Sequence, residues 1–333
     1  MSSLKLSVDI GESYNEPMRF VECAIMADKY GFDTVWFGDH LLPWTHRRRG
    51  APFVWSVMPL ALERTRKVKI GAHVTTPIGG RYHPLIIAQA AATLDNMFPG
   101  RFALGVGSGE AMNEALFFSG NWPKWNERIK RLAEAILLIR KAWESRDYFA
   151  FEGSYFKVEN FFLYTKPKSS IPIYFSALGE KAAAYAGTYG DHLITITSPE
   201  VCRDVIFPSF ESSATKAGKN PSTMEKMVPI SVWFVDKEHG PEEVRRSGDA
   251  GLLAKEARDE RDPRRIEKMA QSVSDDRILA SKCFFSSPDD LIDLIDNYRR
   301  IGATHIAFDI QSFPERIEIL GEKVLPYFSE KSE

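Results

Sequence analysis

The chain has 333 residues, 44% hydrophobic and 26% charged, which is long enough to bury a large core. Its 43 basic and 45 acidic residues nearly cancel, so no global field draws it to nucleic acid or to an anionic membrane. We therefore expect a cytoplasmic protein that acts on a small molecule, with neither a membrane nor a nucleic acid as partner.

The three cysteines, Cys23, Cys202 and Cys283, are far apart in the sequence and form no CxxC pair or Cys/His cluster. This spacing predicts reduced, buried thiols and no metal site.

Short runs of β-branched and aromatic residues alternate with amphipathic helical stretches from one end of the chain to the other. This alternation is typical of a parallel sheet in an α/β protein. Eight runs are predicted strands: Leu4–Asp9, Thr34–Gly38, Val68–Val74, Phe102–Val106, Ile173–Ala177, Leu193–Thr197, Val228–Val235 and His305–Ile310.

Helices are predicted at Pro17–Tyr30, Pro84–Met97, Asn126–Trp143 and Lys181–Thr188. Eight β/α units favour a closed (β/α)8 TIM barrel over an open sheet. Two segments interrupt the alternation: an aromatic-rich hairpin near 148–166 and a charged, mostly helical insertion near 240–281. We expect residues 1–333 to form a single domain with these two insertions.

In such a barrel the reacting groups lie where strands end, on the carboxyl face. The second strand leads into Asp39 and His40, with Trp44 shortly after. A histidine can accept a proton near neutral pH, as alcohol oxidation requires. The alternative is that His40 only supports its loop while Asp39 binds backbone amides.

The fourth strand leads into Gly107, Ser108, Gly109 and Glu110. Closely spaced glycines let a backbone approach a ligand, and Glu110 is a second candidate for proton transfer. It could instead be an ordinary first-turn carboxylate of the next helix. Because Glu110 stands where a third glycine would be needed, a nicotinamide-binding fold is disfavoured.

These residues, together with Arg81–Pro84 and Phe98–Arg101, give the chain a likeness to a known family. It resembles the luciferase-like coenzyme F420-dependent oxidoreductases over nearly its whole length. The likeness is strongest to the branch that oxidises glucose 6-phosphate or secondary alcohols.

The resemblance implies a role for each matching residue. His40 would remove the hydroxyl proton, Trp44 would help to hold the substrate or the developing charge, and Glu110 would supply a proton to the reduced deazaflavin ring. A cis peptide is implied between the third-strand residues His73 and Val74. The implied coenzyme contacts are Asp39, His73, Val74, Thr75, Thr76, Gly107, Ser108, Gly109, Asn113, Ala177, Leu178 and Gly179.

The resemblance implies that the cofactor is coenzyme F420, with glucose 6-phosphate as the first candidate substrate and a small secondary alcohol as the alternative. Arg258 and Lys282 stand near the positions of phosphate-binding residues, and Arg47–Arg49 add further positive charge. A third reading is a flavin-dependent monooxygenase, and a fourth is a barrel that only carries a flavin-like ligand. The family also suggests a homodimer.

Overall fold

The structure is a computed structural model that describes residues 4–11, 16–48, 50–253, 256–310 and 313–330. Eight parallel strands close into a barrel, which confirms the predicted fold class, and all eight predicted strands contribute to it. The strands are β1 (Lys5–Gly11), β2 (Thr34–Phe37), β3 (Lys69–Thr75), β4 (Phe102–Val106), β5 (Phe149–Glu152), β6 (Lys157–Phe161), β7 (Ile173–Ser176), β8 (His192–Ile194), β9 (Lys226–Ser231) and β10 (His305–Asp309).

Around the barrel the strand order is β1-β10-β9-β8-β7-β4-β3-β2, while β5 and β6 form a separate antiparallel hairpin. The barrel strands are largely buried, as expected for a parallel sheet covered by helices. The ladder between β1 and β10 pairs Lys5 with His305 and ends with Asp9 opposite Asp309. Two carboxylates thus meet at the carboxyl ends of neighbouring strands.

Helices flank the strands, and two of the four predicted helices have the predicted bounds. The helices are α1 (Pro17–Tyr30), α2 (Val54–Arg64), α3 (Pro84–Met97), α4 (Ala111–Glu114), α5 (Trp125–Glu144), α6 (Glu180–Tyr189), α7 (Pro199–Val201), α8 (Phe207–Lys216), α9 (Gly240–Ser247), α10 (Pro263–Gln271), α11 (Asp275–Ser281), α12 (Pro288–Arg300), α13 (Glu315–Lys323) and α14 (Leu325–Glu330). Helix α1 ends because Gly31 takes a left-handed conformation, φ 86°, and its N–H bonds the carbonyl of Ala27.

The residues group into two compact units. The first unit comprises Met1–Ile70, Glu110–Asn113 and Val228–Glu333, and the second comprises Gly71–Gly109 and Glu114–Met227. The hairpin of β5 and β6 belongs to the second unit, and helices α9 to α11 belong to the first. That the whole chain acts as a single domain stays a prediction.

The ninth strand ends well before its predicted bound. The expected strand Val228–Val235 ends as β9 at Ser231, and Trp233 instead forms an isolated bridge with Phe284. Trp233 is fully buried in an apolar cluster formed mainly by the 240–281 insertion. Packing against the insertion therefore draws the chain out of the barrel ladder.

Two of the predicted buried cysteines, Cys23 and Cys202, are buried, but the prediction is wrong for Cys283, which is exposed. Cys283 follows α11 at the edge of the insertion, where an apolar side chain is not covered on every side. Among the described residues, no helix has the length and apolar character to cross a membrane.

Candidate active site

The first unit holds His40 and Asp39 in the loop that follows β2. Asp39 is buried, and its Oδ2 accepts a hydrogen bond of 3.1 Å from the indole Nε1 of Trp55 on α2. His40 is half-buried, with its Nδ1 3.3 Å from the carbonyl oxygen of Leu42. The loop thus presents an imidazole beside a carboxylate that another side chain already contacts.

Asn113 joins this loop to Glu110. Its Oδ1 accepts hydrogen bonds from the backbone N–H groups of Leu41 (2.9 Å) and Leu42 (3.1 Å). Because both donors fix the orientation of the amide, Nδ2 lies 3.2 Å from Nδ1 of His40 and donates to Oε2 of Glu110 at 3.3 Å. One buried amide therefore holds the candidate base and the candidate acid in a single array, which we call the His40–Asn113–Glu110 array.

Trp44 lies beside this array. Its ring centroid is 6.1 Å from that of His40, with the planes tilted by 48°. The indole packs against the apolar cluster of the insertion, which includes Met112 and Leu253. The insertion therefore forms the wall behind Trp44.

The residues after Trp44 are fastened to the insertion by polar contacts. Thr45 is fully buried, and its hydroxyl donates to the carbonyl of Gly248 at 2.9 Å. Gly248 has φ +72°, and a Cβ there would lie 2.8 Å from the Thr45 hydroxyl. The backbone N–H of Arg47 donates to Glu267 on α10 at 2.9 Å.

The second unit holds the predicted coenzyme contacts on β3 and in the loop after β4. The peptide between His73 and Val74 is cis, which confirms what the family resemblance implied. Thr75 is buried, and its carbonyl accepts a 3.1 Å hydrogen bond from the N–H of Gly107. The end of β3 and the loop after β4 therefore form one packed surface.

The glycines of that loop are required by packing within the protein. A Cβ on Gly107 would lie 2.6 Å from Cγ2 of Val74, and a Cβ on Gly109 would lie 2.8 Å from Cγ2 of Thr76. Gly109 also has φ +80°. Close approach of a ligand was the predicted reason for these glycines, but the contact with β3 already requires them.

Arg128 anchors the same loop and was not among the predicted site residues. It is buried on α5, where its Nε donates to the carbonyl of Ser108 at 3.1 Å and its guanidinium lies 4.4 Å from the Trp122 ring centroid. A signal was present, because Arg128 stands four residues before the buried Leu132 on the core-facing side of an otherwise regular helix.

The loop after β7 presents small and apolar groups. Ala177 is buried, whereas Leu178 is 46% exposed, and Ile196 after β8 is 58% exposed. At Gly179 no heavy atom lies within 4 Å of where a Cβ would stand. Exposed apolar side chains beside open space suit a flat heteroaromatic ring, so these residues fit a deazaflavin.

The two predicted substrate cations, both in the first unit, have different surroundings. The carbonyl of Arg258 accepts a hydrogen bond from the N–H of Ala111, directly after Glu110, at 3.1 Å. Nζ of Lys282 lies 2.5 Å from Oδ2 of Asp249, and both side chains are buried, 9% and 5% exposed. Sequence reasoning did not find Asp249. Arg49, in the basic run, lies outside the described residues.

Further carboxylates lie at the strand ends of the first unit. Oδ2 of Asp309 accepts a 3.1 Å hydrogen bond from the hydroxyl of Ser231. Burial, together with the negative charges of Asp9 and Asp249, raises the pKa of Asp309 to about 6, and this outweighs the opposing effect of Arg48 and Lys282.

Comparisons with known proteins bear on both units. A family model described as luciferase-like monooxygenase matches residues 3–305. The chain is 34% identical over 320 residues to the F420-dependent glucose-6-phosphate dehydrogenase of Mycolicibacterium gilvum (strain PYR-GCK), covering 95% of each chain. It is 35% identical over 317 residues to the enzyme of the same name from Rhodococcus erythropolis (strain PR4 / NBRC 100887), covering 94% of each.

Among solved structures, an F420-dependent secondary alcohol dehydrogenase in complex with an F420-acetone adduct is similar along the whole chain. The two are 37% identical with a TM-score of 0.90, and the match covers 98% of this chain and 99% of the other. Both branches that the sequence resembles are thus represented among its relatives.

Proposed function

This chain belongs to the luciferase-like monooxygenase family, and from that premise we propose that it is a coenzyme F420-dependent dehydrogenase that oxidises a hydroxyl-bearing carbon. The observation that carries the proposal is the His40–Asn113–Glu110 array, in which one amide holds two proton-transfer groups. The names of the relatives support the choice of coenzyme and reaction.

Oxidation of an alcohol removes a hydride from carbon and a proton from oxygen, and leaves a carbonyl. When bound, coenzyme F420 supplies the two-electron acceptor for that hydride. The protein then has to accept one proton on the substrate side and provide one on the coenzyme side. We assign the first task to His40 and the second to Glu110.

His40 accepts the hydroxyl proton at Nε2. This requires the tautomer in which Nδ1 carries the other proton and donates to the carbonyl of Leu42, 3.3 Å away. Once Nε2 has taken the proton, the ring is an imidazolium, which can return the Nε2 proton to a carbonyl oxygen in the reverse reaction while Nδ1 still donates to Leu42. When Nδ1 carries no proton, it can instead accept from Asn113 at 3.2 Å. The imidazole thus has a partner at Nδ1 in either direction of reaction.

Glu110 holds a proton at its carboxyl group for the coenzyme side, with Asn113 Nδ2 donating to Oε2. Asn113 is a positioning residue, because it fixes the loop that carries His40 through two backbone N–H groups. Trp44 holds the substrate with an indole that the insertion keeps in place.

The coenzyme contacts remain those implied by the family resemblance. In the second unit they come from β3, the loop after β4 and the loop after β7. The first two are packed together, and the third presents apolar surface. In the first unit they are Asp39 and Asn113, both of which also bind protein groups.

The test begins with coenzyme choice. Purified protein is titrated with F420 and with flavin mononucleotide, following fluorescence, and the preferred coenzyme is then offered isopropanol, glucose 6-phosphate and glucose. We expect F420 to bind and its absorbance to fall with at least one hydroxyl substrate. Binding of flavin mononucleotide alone, with oxygen consumption, would contradict the proposal and favour a monooxygenase.

Glucose 6-phosphate and a small secondary alcohol are both candidate substrates, since one relative is named for each. A homodimer and a cytoplasmic location are further proposals from the family resemblance. Light scattering on the purified protein tests the dimer, for which a monomer mass would be the contrary result.

A further inference from the structure

The turn of the β5–β6 hairpin is fastened to helix α5 by one carboxylate. Oε2 of Glu134 accepts a hydrogen bond of 2.9 Å from the N–H of Ser154. Its Oε1 accepts from the N–H groups of Tyr155 (2.8 Å) and Phe156 (2.7 Å). A Cβ on Gly153 would lie 2.1 Å from that Oε1, so the turn closes over the carboxylate only with glycine there. Glu134 therefore fixes the backbone of the turn.

The segment of residues 76–83, which we call the β3 loop, follows β3 and begins with a proposed coenzyme contact, Thr76. It contains two successive glycines, Gly79 and Gly80, and Gly79 takes a left-handed conformation with φ +89°. Within the loop, the N–H of Gly79 donates to the carbonyl of Tyr82 at 3.1 Å. Because glycine carries no side chain, packing that holds this part of the loop has to come from elsewhere in the second unit.

Phe156, the last residue of the hairpin turn, packs against the β3 loop. A Cβ on Gly79 would lie 3.0 Å from Cε1 of Phe156. The Phe156 ring also meets the ring of His83, the last residue of the loop, edge-on, with centroids 5.6 Å apart. Phe156 is only 4% exposed, because it packs with Ala135 and Leu138 of α5 as well. One ring therefore joins the β3 loop to α5.

A second contact between the hairpin turn and the β3 loop runs through Arg131 of α5. Its guanidinium lies 4.7 Å from the ring centroid of Tyr155 and 5.7 Å from that of Phe118. Phe118 in turn fills the space beside Gly80, where a Cβ would lie 2.4 Å from Cε2 of Phe118. The charge of Arg131 is paired with Glu127 at 2.7 Å. Aromatic rings thus lie against both glycines of the β3 loop.

These contacts bear on coenzyme binding through the order of the loop. A ligand that has to order a mobile loop binds more weakly, because ordering costs conformational entropy. Only Pro77 and Ile78 separate Gly79 from Thr76, so a mobile Gly79 would loosen the backbone at Thr76. A loop that is already held when the coenzyme arrives avoids that cost.

We propose that Phe156 is a positioning residue for the coenzyme: held by Glu134 through the hairpin turn, it keeps the β3 loop in the conformation in which Thr76 receives the coenzyme. This inference rests on the proposed function. It gives a role to the hairpin, which is not part of the barrel sheet and supplies none of the proposed coenzyme contacts.

The competing explanation is that Phe156 only adds apolar core. Loss of core predicts that a folded Phe156→Ala has a lower melting temperature and an unchanged affinity for F420. The proposal predicts, in addition, weaker F420 binding and faster hydrogen exchange at the Gly79 amide. Turnover at saturating F420 should stay close to wild type, because the proton-transfer groups are unchanged.

The experiment compares wild type with Phe156→Ala and with Phe161→Ala as the matched control. Phe161 belongs to the same hairpin, but its ring packs against Phe149 at the end away from the turn, with centroids 5.7 Å apart. Fluorescence titration measures F420 affinity, and NMR measures exchange of the Gly79 amide in the protein without coenzyme. We expect Phe156→Ala to bind F420 about tenfold more weakly and to exchange this amide about tenfold faster. Phe161→Ala should match wild type in both.

An unchanged F420 affinity or an unchanged exchange rate in folded Phe156→Ala would overturn the proposal, as would an equal loss in Phe161→Ala. If Phe156→Ala does not fold, Glu134→Gln decides, because it replaces one of the two acceptor oxygens by an amide NH2 and leaves every apolar side chain in place. It should also bind F420 more weakly and exchange the Gly79 amide faster, and no change in either would overturn the proposal. If wild type does not bind F420, the proposed function is refuted instead, while the exchange rates still test whether Phe156 holds the loop.

Discussion

Two polar assemblies in the first unit are built on different principles. The His40–Asn113–Glu110 array is held by a neutral amide that bonds backbone N–H groups, and its reacting side chains are half-buried. The pair of Asp249 and Lys282 is held by opposite charges inside the protein. In the array, Nδ1 of His40 has an acceptor in the Leu42 carbonyl and a donor in Asn113, so it has a partner with or without its proton. A buried ion pair cannot lose either charge without a large penalty.

The sharpest test of this contrast is His40→Asn. We expect alcohol oxidation to fall by about 100-fold or more, the usual scale for a positioned general base, while coenzyme affinity and unfolding free energy remain near wild type. Stopped-flow reduction of F420 and urea unfolding measure the two effects. Unchanged turnover would remove His40 from the base role.

Lys282→Met should show the opposite pattern. It leaves the Asp249 carboxylate buried opposite an apolar side chain, which typically costs about 3 to 5 kcal/mol of unfolding free energy. The double variant with Asp249→Asn should recover most of that loss, because no buried charge then lacks its partner. Urea unfolding of wild type, Lys282→Met and the double variant measures how much of the lost unfolding free energy is recovered. If Lys282→Met were as stable as wild type, the two charges would not form a buried pair.

A smaller effect is expected from Asn113→Ala, which deprives the N–H groups of Leu41 and Leu42 of their acceptor and frees the His40 loop. We predict a loss of about tenfold in turnover, since modest misplacement of a reacting group is costly. Asn113→Asp keeps an acceptor for both N–H groups but lacks the amide donor to His40 and Glu110. A pH profile of kcat/KM that is shifted in Asn113→Asp relative to wild type would show that Asn113 positions the reacting groups. Simple loss of fold would lower kcat/KM without shifting the profile.

The smallest effect concerns Asp309, whose pKa is raised to about 6 by burial and by Asp9 and Asp249. An acid with a raised pKa in the folded state binds its proton more tightly there than when unfolded, so ionisation opposes folding. Its contribution to stability therefore declines as pH rises from about 4, the unfolded value, to about 6, and then levels off. Asp309→Asn should gain stability relative to wild type at pH 7.5 and lose that advantage at pH 4. Parallel unfolding curves at the two pH values would contradict the shift.

The sequence predicted the fold well, because strand identity is local. Eight β-branched and aromatic runs identified the eight barrel strands, and Pro17 with Gly31 marked the bounds of α1. Helix α2 was not predicted, since Pro59 lies inside it and the preceding Pro52 suggests a loop. Strand ends drew attention to His40 and Glu110, whose roles stay predictions.

The partners within the site could not be predicted in the same way. Asn113 contacts Leu41 and Leu42, more than seventy residues away in sequence. Asp249 contacts Lys282 across most of the insertion. No local pattern encodes such contacts. Sequence alone therefore indicated that Lys282 was a cation near a substrate, while the fold showed that its charge is matched.

The bond between Thr45 and Gly248 has a consequence for protein engineering. A side chain at position 248 does not fit beside the hydroxyl of Thr45, because a Cβ there would lie 2.8 Å from that hydroxyl. The loop that carries Trp44 and the insertion therefore behave as one transplantable module. A chimera that exchanges residues 240–281 for those of a relative should work only if residues 40–48 are exchanged with them.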